Sequence, residues 1–150
     1  LKMVENNYNI KLTIIGNGIL NNKINTIINK KKLQKFIKTI QFIEKPFDHI
    51  FENDVMVLPS LYEGTSRAVL ESLFIGTPCI LRNTSDNSNL INNHKQGMLF
   101  ENDSELYKTL CKFYDKNLNK NNYEKQCLLS KEYRENEVVK KLNKILNHGN

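Results

Sequence analysis

Short apolar runs alternate with amphipathic stretches through the first two thirds of the chain. Consecutive or alternating apolar residues predict strands, and apolar residues three or four positions apart predict helices. By these patterns we expect strands at residues 11–15, 39–43, 54–58, 79–82 and 97–100. We expect helices at residues 19–33, 46–53, 66–75 and 89–93, and the tail of an earlier helix at residues 1–6.

This alternation predicts an α/β fold. Because the strands are apolar throughout, we expect a Rossmann-like parallel sheet with helices on both faces. No repeat or linker divides the sequence, so residues 1–150 are expected to form one domain, with two or three C-terminal helices from about residue 104 to 148. A doubly wound domain would place a strand before the first helix. We therefore expect a fragment, or a first βα unit supplied from elsewhere.

The net charge of +6 raises the question of an anionic partner. Nearly all of the positive charge is lysine spread along the chain, and only three arginines occur. The densest run, Lys30 to Lys32, falls at the end of a predicted helix, where it complements the helix dipole. Nucleic-acid binding is therefore disfavoured, whereas weak peripheral contact with an acidic membrane stays open.

No apolar run approaches the roughly 18–20 residues that a membrane-spanning helix needs. The chain is therefore expected to be cytoplasmic, at most at the inner face of the membrane. The cysteines, Cys79, Cys111 and Cys127, are far apart and in no paired motif, which predicts reduced thiols. No group of residues has metal-ligand spacing, so we expect no metal site.

The turn after the first strand contains Gly16 and Gly18 around an asparagine. A strand, a Gly-x-Gly turn and a helix resemble the beginning of a dinucleotide-binding fingerprint, but Asn21 stands where the third glycine is needed. An NAD site is therefore disfavoured. Two interpretations remain open: a tight turn that needs small residues, or one wall of another nucleotide pocket.

Residues 58–71 carry the most specific chemistry, because they place two carboxylates, Glu63 and Glu71, around the start of a predicted helix. Gly64 allows close backbone approach, and the free N–H groups of residues 65–67 can face an anion. Carboxylates beside an anion site suit a ligand that also has hydroxyl groups, such as a phosphorylated sugar. The alternative interpretation is an ion pair between Arg67 and Glu71 on a solvated helix face.

The helix itself has a predicted start, buried face and end. Thr65 or Ser66 is expected to cap its first turn, where Arg67 opposes the helix dipole unless an anion is bound. Gly76, followed by Pro78, predicts the end of the helix. The buried stripe is expected to contain Val69, Leu70, Leu73 and Phe74.

Residues 54–81 resemble the donor-binding half of retaining GT-B glycosyltransferases of family 4 (group 1), which carry a Glu-x7-Glu motif. Residues 12–18, 40–42 and 97–100 follow the order and spacing of that family. The resemblance implies that Glu63 is catalytic and contacts the transferred sugar or the charge that develops at its anomeric carbon. It implies that Glu71 accepts hydrogen bonds from the ribose hydroxyls.

The other donor-binding residues follow from the same resemblance. Backbone amides of residues 64–66 are expected to hold sugar and phosphate oxygens, and the loop after the second strand to lie near the base. The expected donor-binding residues are Gly64, Thr65, Ser66, Arg67, Glu71, Gly16, Gly18, Phe42 and Ile43. The implied substrate is a nucleotide-diphosphate sugar and no cofactor is implied.

Two departures from the family pattern qualify the expected activity. The unit that supplies an Arg and a Lys to the diphosphate, and the N-terminal domain that binds a glycan or lipid-linked acceptor, are not in this sequence. Asn89 also stands where members commonly carry Glu. We expect a glycosyltransferase of polysaccharide biosynthesis that is weak or inactive as this chain alone. The alternative is a non-catalytic truncated product or partner subunit.

Overall fold

The computed structural model describes residues 1–62, 64–117 and 128. The chain divides into two compact units, Leu1–Pro46 and Phe47–Asn150, and each has its own parallel sheet. The parallel α/β architecture expected from the sequence is confirmed. That residues 1–150 act as one domain stays a prediction.

The first unit consists of α1 (Lys2–Glu5), β1 (Leu12–Ile15), α2 (Asn21–Lys30) and β2 (Ile37–Ile40). The two strands pair in parallel, with Leu12 opposite Ile37 and Ile15 opposite Ile40. The prediction of a strand at residues 39–43 was therefore wrong in its bounds. The strand stops at Ile40 because its partner stops at Ile15, which leaves Phe42 and Ile43 in the loop that follows.

The second unit begins with α3 (Phe47–Phe51), β3 (Met56–Leu58), α4 (Arg67–Ile75) and β4 (Cys79–Arg82). It continues with α5 (Ser85–Ser88), β5 (Gly97–Phe100) and α6 (Asp103–Asn117). The sheet has the order β3-β4-β5, and both pairings are parallel. The apolar strand β4 therefore lies at the centre, as its run of Cys, Ile and Leu requires.

The core of the second unit lies between α4 and the central strand. Its fully enclosed residues are Val69, Leu73, Cys79, Leu81 and Leu90. The expectation for the helix stripe was wrong at Phe74, which is 63% exposed. Ser72 is buried in its place, because its hydroxyl donates to the carbonyl of Thr77 at 2.9 Å and so satisfies its polar group.

The positions of both predicted ends of α4 are confirmed, but the expected capping hydrogen bond from the Ser66 side chain does not form. Ser66 is the N-cap in an extended conformation, and Gly76 is the C-cap at φ 92°, a left-handed conformation that glycine adopts without strain. The helix predicted at residues 89–93 was wrong. A single turn forms at Ser85–Ser88 instead, because the Thr84 hydroxyl accepts from the backbone N–H of Asn87 at 3.3 Å and caps it.

The last described helix, α6, begins one residue before the predicted start. Its apolar residues Leu106, Leu110 and Phe113 are half-buried. The helices expected after residue 117 lie outside the described residues, as does Cys127. Within the described part of the chain, none of the helices has the length and apolar character needed to cross a membrane.

Candidate functional site

The loops that follow β3 and β4 leave the same edge of the second sheet. The two strands are parallel and in register, with Leu58 opposite Leu81, so their carboxyl ends coincide. The loop after β3 carries the predicted donor-binding residues and leads into α4. Ligands of open parallel sheets bind at this edge.

The start of α4 has open backbone donors. Ser66 is 7% exposed and lies at the N-cap, yet its side chain makes no capping hydrogen bond. Its carbonyl accepts from the N–H of Leu70 at 3.1 Å, which begins the helix. The first-turn N–H groups therefore receive no cap from the Ser66 side chain. Together with the positive end of the helix dipole, they favour an anion at this position.

Arg67 and Glu71 form the ion pair that the sequence offered as an alternative to a binding site. Arg67 Nε lies 3.3 Å from Glu71 Oε1, and the two side chains are 90% and 25% exposed. A helical pair this exposed stabilises the fold by only about 0.3–0.5 kcal/mol. A ligand can therefore displace either partner at small cost, so the pair and a binding role are compatible.

Glu63, the predicted catalytic carboxylate, lies outside the described residues. Its neighbours Tyr62 and Gly64 are described, and both are exposed at the mouth of the loop. A side chain built at Gly64 would meet no described atom within 4 Å, so the space in front of this backbone is open. The role of Glu63 stays a prediction.

The remaining predicted residues lie in the first unit, at the carboxyl ends of β1 and β2. The N–H of Gly16 donates to the carbonyl of Ile40 at 3.0 Å, which brings the glycine turn beside the loop of Phe42 and Ile43. Phe42 is 77% exposed, and Cβ atoms added at Gly16 or Gly18 would meet no described atom within 4 Å. Gly16, Gly18 and Phe42 thus form one exposed group, and the half-buried Ile43 follows Phe42 directly.

Asn21 has a structural role in the same turn. Its side-chain amide donates to the Asn17 side-chain oxygen at 2.6 Å and so closes the turn at the start of α2. Asn21 stands where dinucleotide-binding folds need a third glycine for close helix–strand packing. The structure therefore gives the NAD interpretation no support.

Two residues that the sequence analysis did not single out hold the edge of the second sheet together. Arg82 Nε donates to the carbonyl of Pro59 at 3.1 Å, Nη1 to the carbonyl of Glu101 at 2.9 Å, and Nη2 to Asp103 Oδ1 at 2.8 Å. Asn87 is fully buried and donates to the carbonyl of Arg82 at 2.9 Å. An arginine at the last position of an otherwise apolar strand was the available signal.

An open cavity of about 590 Å³ lies at this edge, between the loops after β3 and β4. Leu61, Tyr62 and Gly64 line one side of it, and Thr84, Ser85 and Asp86 line the other. Within the described ranges, no group of three His, Cys, Asp or Glu side chains is placed to hold a metal ion.

Comparison with known proteins agrees with this architecture. Residues 1–127 match the family "Glycosyl transferases group 1". An uncharacterized glycosyltransferase of Methanocaldococcus jannaschii is 34% identical over 79 residues, which cover 53% of this chain and 20% of that protein. An Escherichia coli UDP-Gal:alpha-D-GlcNAc-diphosphoundecaprenol alpha-1,3-galactosyltransferase is 47% identical over 49 residues, 33% of this chain and 13% of that protein. An O-antigen biosynthesis glycosyltransferase of the same species is 32% identical over 76 residues, 51% of this chain and 22% of that protein.

Solved structures show the same fold. TarM aligns with a TM-score of 0.72 and 22% identity, over 95% of this chain and 30% of that one. Anabaena HepE in complex with UDP aligns with a TM-score of 0.72 and 14% identity, over 93% of this chain and 41% of that one. The chain thus spans less than half the length of the relatives and structures it resembles. Its sheets and flanking helices correspond to part of a GT-B fold.

Proposed function

The chain belongs to the group 1 glycosyl transferase family, and on that premise we propose that it binds the nucleotide-diphosphate sugar donor for retaining transfer to a glycan or lipid-linked acceptor. The observation that carries the proposal is the start of α4. Its first-turn backbone donors, at the carboxyl edge of the sheet, receive no cap from the Ser66 side chain, and the Glu71 side chain, 25% exposed, lies one turn further on. Phosphate and ribose of one nucleotide can occupy these two positions together.

The residues would divide the donor between them. Backbone N–H groups of Gly64, Thr65 and Ser66 would receive oxygens of the diphosphate and sugar, and the exposed guanidinium of Arg67 can turn toward the same charge. Stabilising the departing diphosphate in this way lowers the barrier to transfer. Glu71 would accept from the ribose hydroxyls. Glu63 would act at the sugar, as the family resemblance implies.

The exposed group in the first unit would serve the base. Phe42 and Ile43 follow β2, and Gly16 and Gly18 follow the neighbouring strand, so a planar ring has both an apolar side chain and open backbone within reach. The proposal requires no cofactor beside the nucleotide-diphosphate sugar.

Three relatives or neighbours support the substrate class. One Escherichia coli relative is named for UDP-Gal and a diphosphoundecaprenol acceptor, another for O-antigen biosynthesis, and the Anabaena structure holds UDP. We therefore propose a uridine nucleotide donor and a role in polysaccharide assembly in the cytoplasm. The acceptor would be bound by a separate N-terminal domain, so this chain alone is expected to bind donor and to transfer little.

Removing single ribose hydroxyls from UDP, in combination with a substitution at Glu71, tests the proposed contact between Glu71 and the ribose. Calorimetry should show that the wild-type chain binds UDP about tenfold more tightly than 2′-deoxy-UDP or 3′-deoxy-UDP, because one charge-assisted hydrogen bond is lost. Glu71→Gln should bind UDP more weakly than wild type does. It should bind UDP and the deoxy-UDP that lacks the Glu71-bound hydroxyl with equal affinity. Measuring the variant against each ligand isolates this one contact.

Arg67→Ala is the matched control for the ion pair. It removes the same pair as Glu71→Gln but keeps the carboxylate, so it should weaken all of these nucleotides equally and preserve discrimination at the ribose. If Glu71→Gln and wild type discriminate equally, Glu71 does not bind the ribose. If the wild-type chain binds no nucleotide, the proposed function itself is wrong.

A further inference from the structure

The cavity between the loops after β3 and β4 is large enough for a ligand. Its volume is about 590 Å³, and it is broadly open to solvent rather than enclosed. It adjoins the start of α4 through Gly64, but its opposite side is formed by Thr84, Ser85 and Asp86. Those three residues have no part in the proposed nucleotide contacts.

Hydrogen bonds fix the two sides of the cavity relative to each other. Arg82 Nε donates to the carbonyl of Pro59, which ties the end of β4 to the loop that carries Tyr62. The Asn87 side-chain amide donates to the carbonyl of Arg82 at 2.9 Å, and the Asn87 N–H donates to the Thr84 hydroxyl at 3.3 Å. The turn with Asp86 is therefore held in place before a ligand arrives, which lowers the entropic cost of binding.

The side chains around the cavity select against phosphate. Among its described lining residues there is no lysine or arginine. The nearby Arg82 already donates from all three guanidinium nitrogens to Pro59, Glu101 and Asp103. A second phosphate would meet the negative carboxylate of Asp86 without a compensating cation.

The same side chains suit a polyhydroxylated ring. A carboxylate accepts two hydrogen bonds, as the vicinal hydroxyls of a sugar require, and the Ser85 and Thr84 hydroxyls can extend that network. Tyr62 is 93% exposed at the rim, so its ring is open to the apolar C–H face of a sugar. An aromatic ring and carboxylate and hydroxyl groups in one lining suit a sugar ring better than a phosphate.

We infer that this cavity is a sugar-ring subsite in which the Asp86 carboxylate accepts hydrogen bonds from ring hydroxyls and Tyr62 packs against the ring. The sugar comes either from the donor or from a glycan acceptor, and both present the same hydroxyl chemistry. If the sugar belongs to the donor, the inference rests on the proposed function. Asp86 is then a residue that determines which sugar is accepted.

Calorimetry on the folded chain separates the sugar from the nucleotide. UDP, UDP-glucose, UDP-galactose and UDP-N-acetylglucosamine are titrated into wild type, Asp86→Asn and Asp86→Ala. For the sugar that binds best, we expect Asp86→Ala to lose about tenfold in affinity, whereas UDP itself changes less than twofold. Asp115→Asn, an exposed substitution on α6, is the matched control and should change neither affinity.

Methyl glycosides of the same sugars, titrated with UDP present, identify the source of the ring. If Asp86→Ala weakens the methyl glycosides but leaves all UDP-sugars unchanged, the subsite takes the acceptor. If it weakens neither, the inference is wrong even though UDP still binds. Should wild type fail to bind UDP, the proposed function fails, and the methyl glycoside titration alone decides the subsite.

Tyr62 gives an independent test of ring packing. Tyr62→Phe keeps the aromatic face and should bind the preferred sugar within about twofold of wild type. Tyr62→Ala removes the face and should weaken that sugar about tenfold with no effect on UDP. Equal affinities for Tyr62→Phe and Tyr62→Ala would contradict packing against the ring.

Discussion

The two ends of the three-stranded sheet use glycine in opposite ways. At the amino end, Gly97 of β5 lies against Cys79 of β4, and a Cβ at Gly97 would overlap the Cys79 carbonyl oxygen. At the carboxyl end, a Cβ at Gly64 would meet no described atom within 4 Å. One end is closed by packing and the other is open to a ligand. Stability and binding are therefore expected to respond to different substitutions.

Gly97→Ala is expected to have the largest effect. The added methyl group would overlap backbone atoms of Cys79, and the φ of +145° at this position is one that residues with a side chain rarely adopt. Neighbouring backbone cannot move aside without breaking the β4–β5 pairing. We expect a loss of about 4 kcal/mol or more in the free energy of unfolding, measured by urea denaturation.

A Gly97→Ala chain that unfolds at the same urea concentration as wild type would contradict the closed packing. Far-ultraviolet circular dichroism provides the accompanying check, because loss of this pairing should remove ordered structure at 25 °C. The comparison is sharpest against Gly64→Ala, which adds the same methyl group at the open end.

Cys79 tests the same closed end by its chemistry. Burial of the thiol raises its pKa from 9.0 to about 12, and the hydrogen bond with Ser72 opposes this only in part. At pH 8 the reactive thiolate is therefore about 1,000-fold scarcer than in the unfolded chain. Alkylation of Cys79 by iodoacetamide, followed by mass spectrometry, should be slower than in urea by at least about that factor.

The raised pKa also gives a direction for the pH dependence of stability. Because folding favours the neutral thiol, the contribution of Cys79 is intact below pH 9 and is lost progressively as the pH rises toward about 12. Half-buried Cys111 is the internal control and should be alkylated faster in the native chain. Equal native rates for the two cysteines would show that the amino end of β4 is open.

The sequence predicted the parts of this fold that depend on local patterns. Apolar runs located each of the five strands among the described residues, and Gly76 before Pro78 located the end of α4. Predictions failed where a partner strand or a specific side-chain cap decides. The bounds of β2 follow its partner strand, and the turn at Ser85–Ser88 forms because Thr84 caps it in a segment whose composition reads as a loop.

The candidate site shows the same division. The Glu-x7-Glu spacing and the glycines placed most candidate residues in loops at strand ends or at the start of a helix, because each position follows from one segment. The cavity needs two segments that are 20 or more residues apart, Tyr62 and Gly64 on one side and Thr84 to Asp86 on the other. Nor could a pattern of single residues show that Arg82 joins Pro59, Glu101 and Asp103, or that Gly97 has no room for a side chain.

Gly64→Ala is expected to have the smallest effect on stability and a clear effect on binding. With open space around the position, a methyl group needs no rearrangement among the described residues, so the free energy of unfolding should stay within about 0.5 kcal/mol of wild type. The same methyl group would stand where the donor approaches the backbone, and calorimetry should show about tenfold weaker binding of UDP-sugars. Unchanged donor affinity would place the ligand away from this loop, and a large loss of stability would mean that the open end is packed like the closed one. A variant that keeps its fold and loses its ligand separates the two ends of the sheet by a single methyl group.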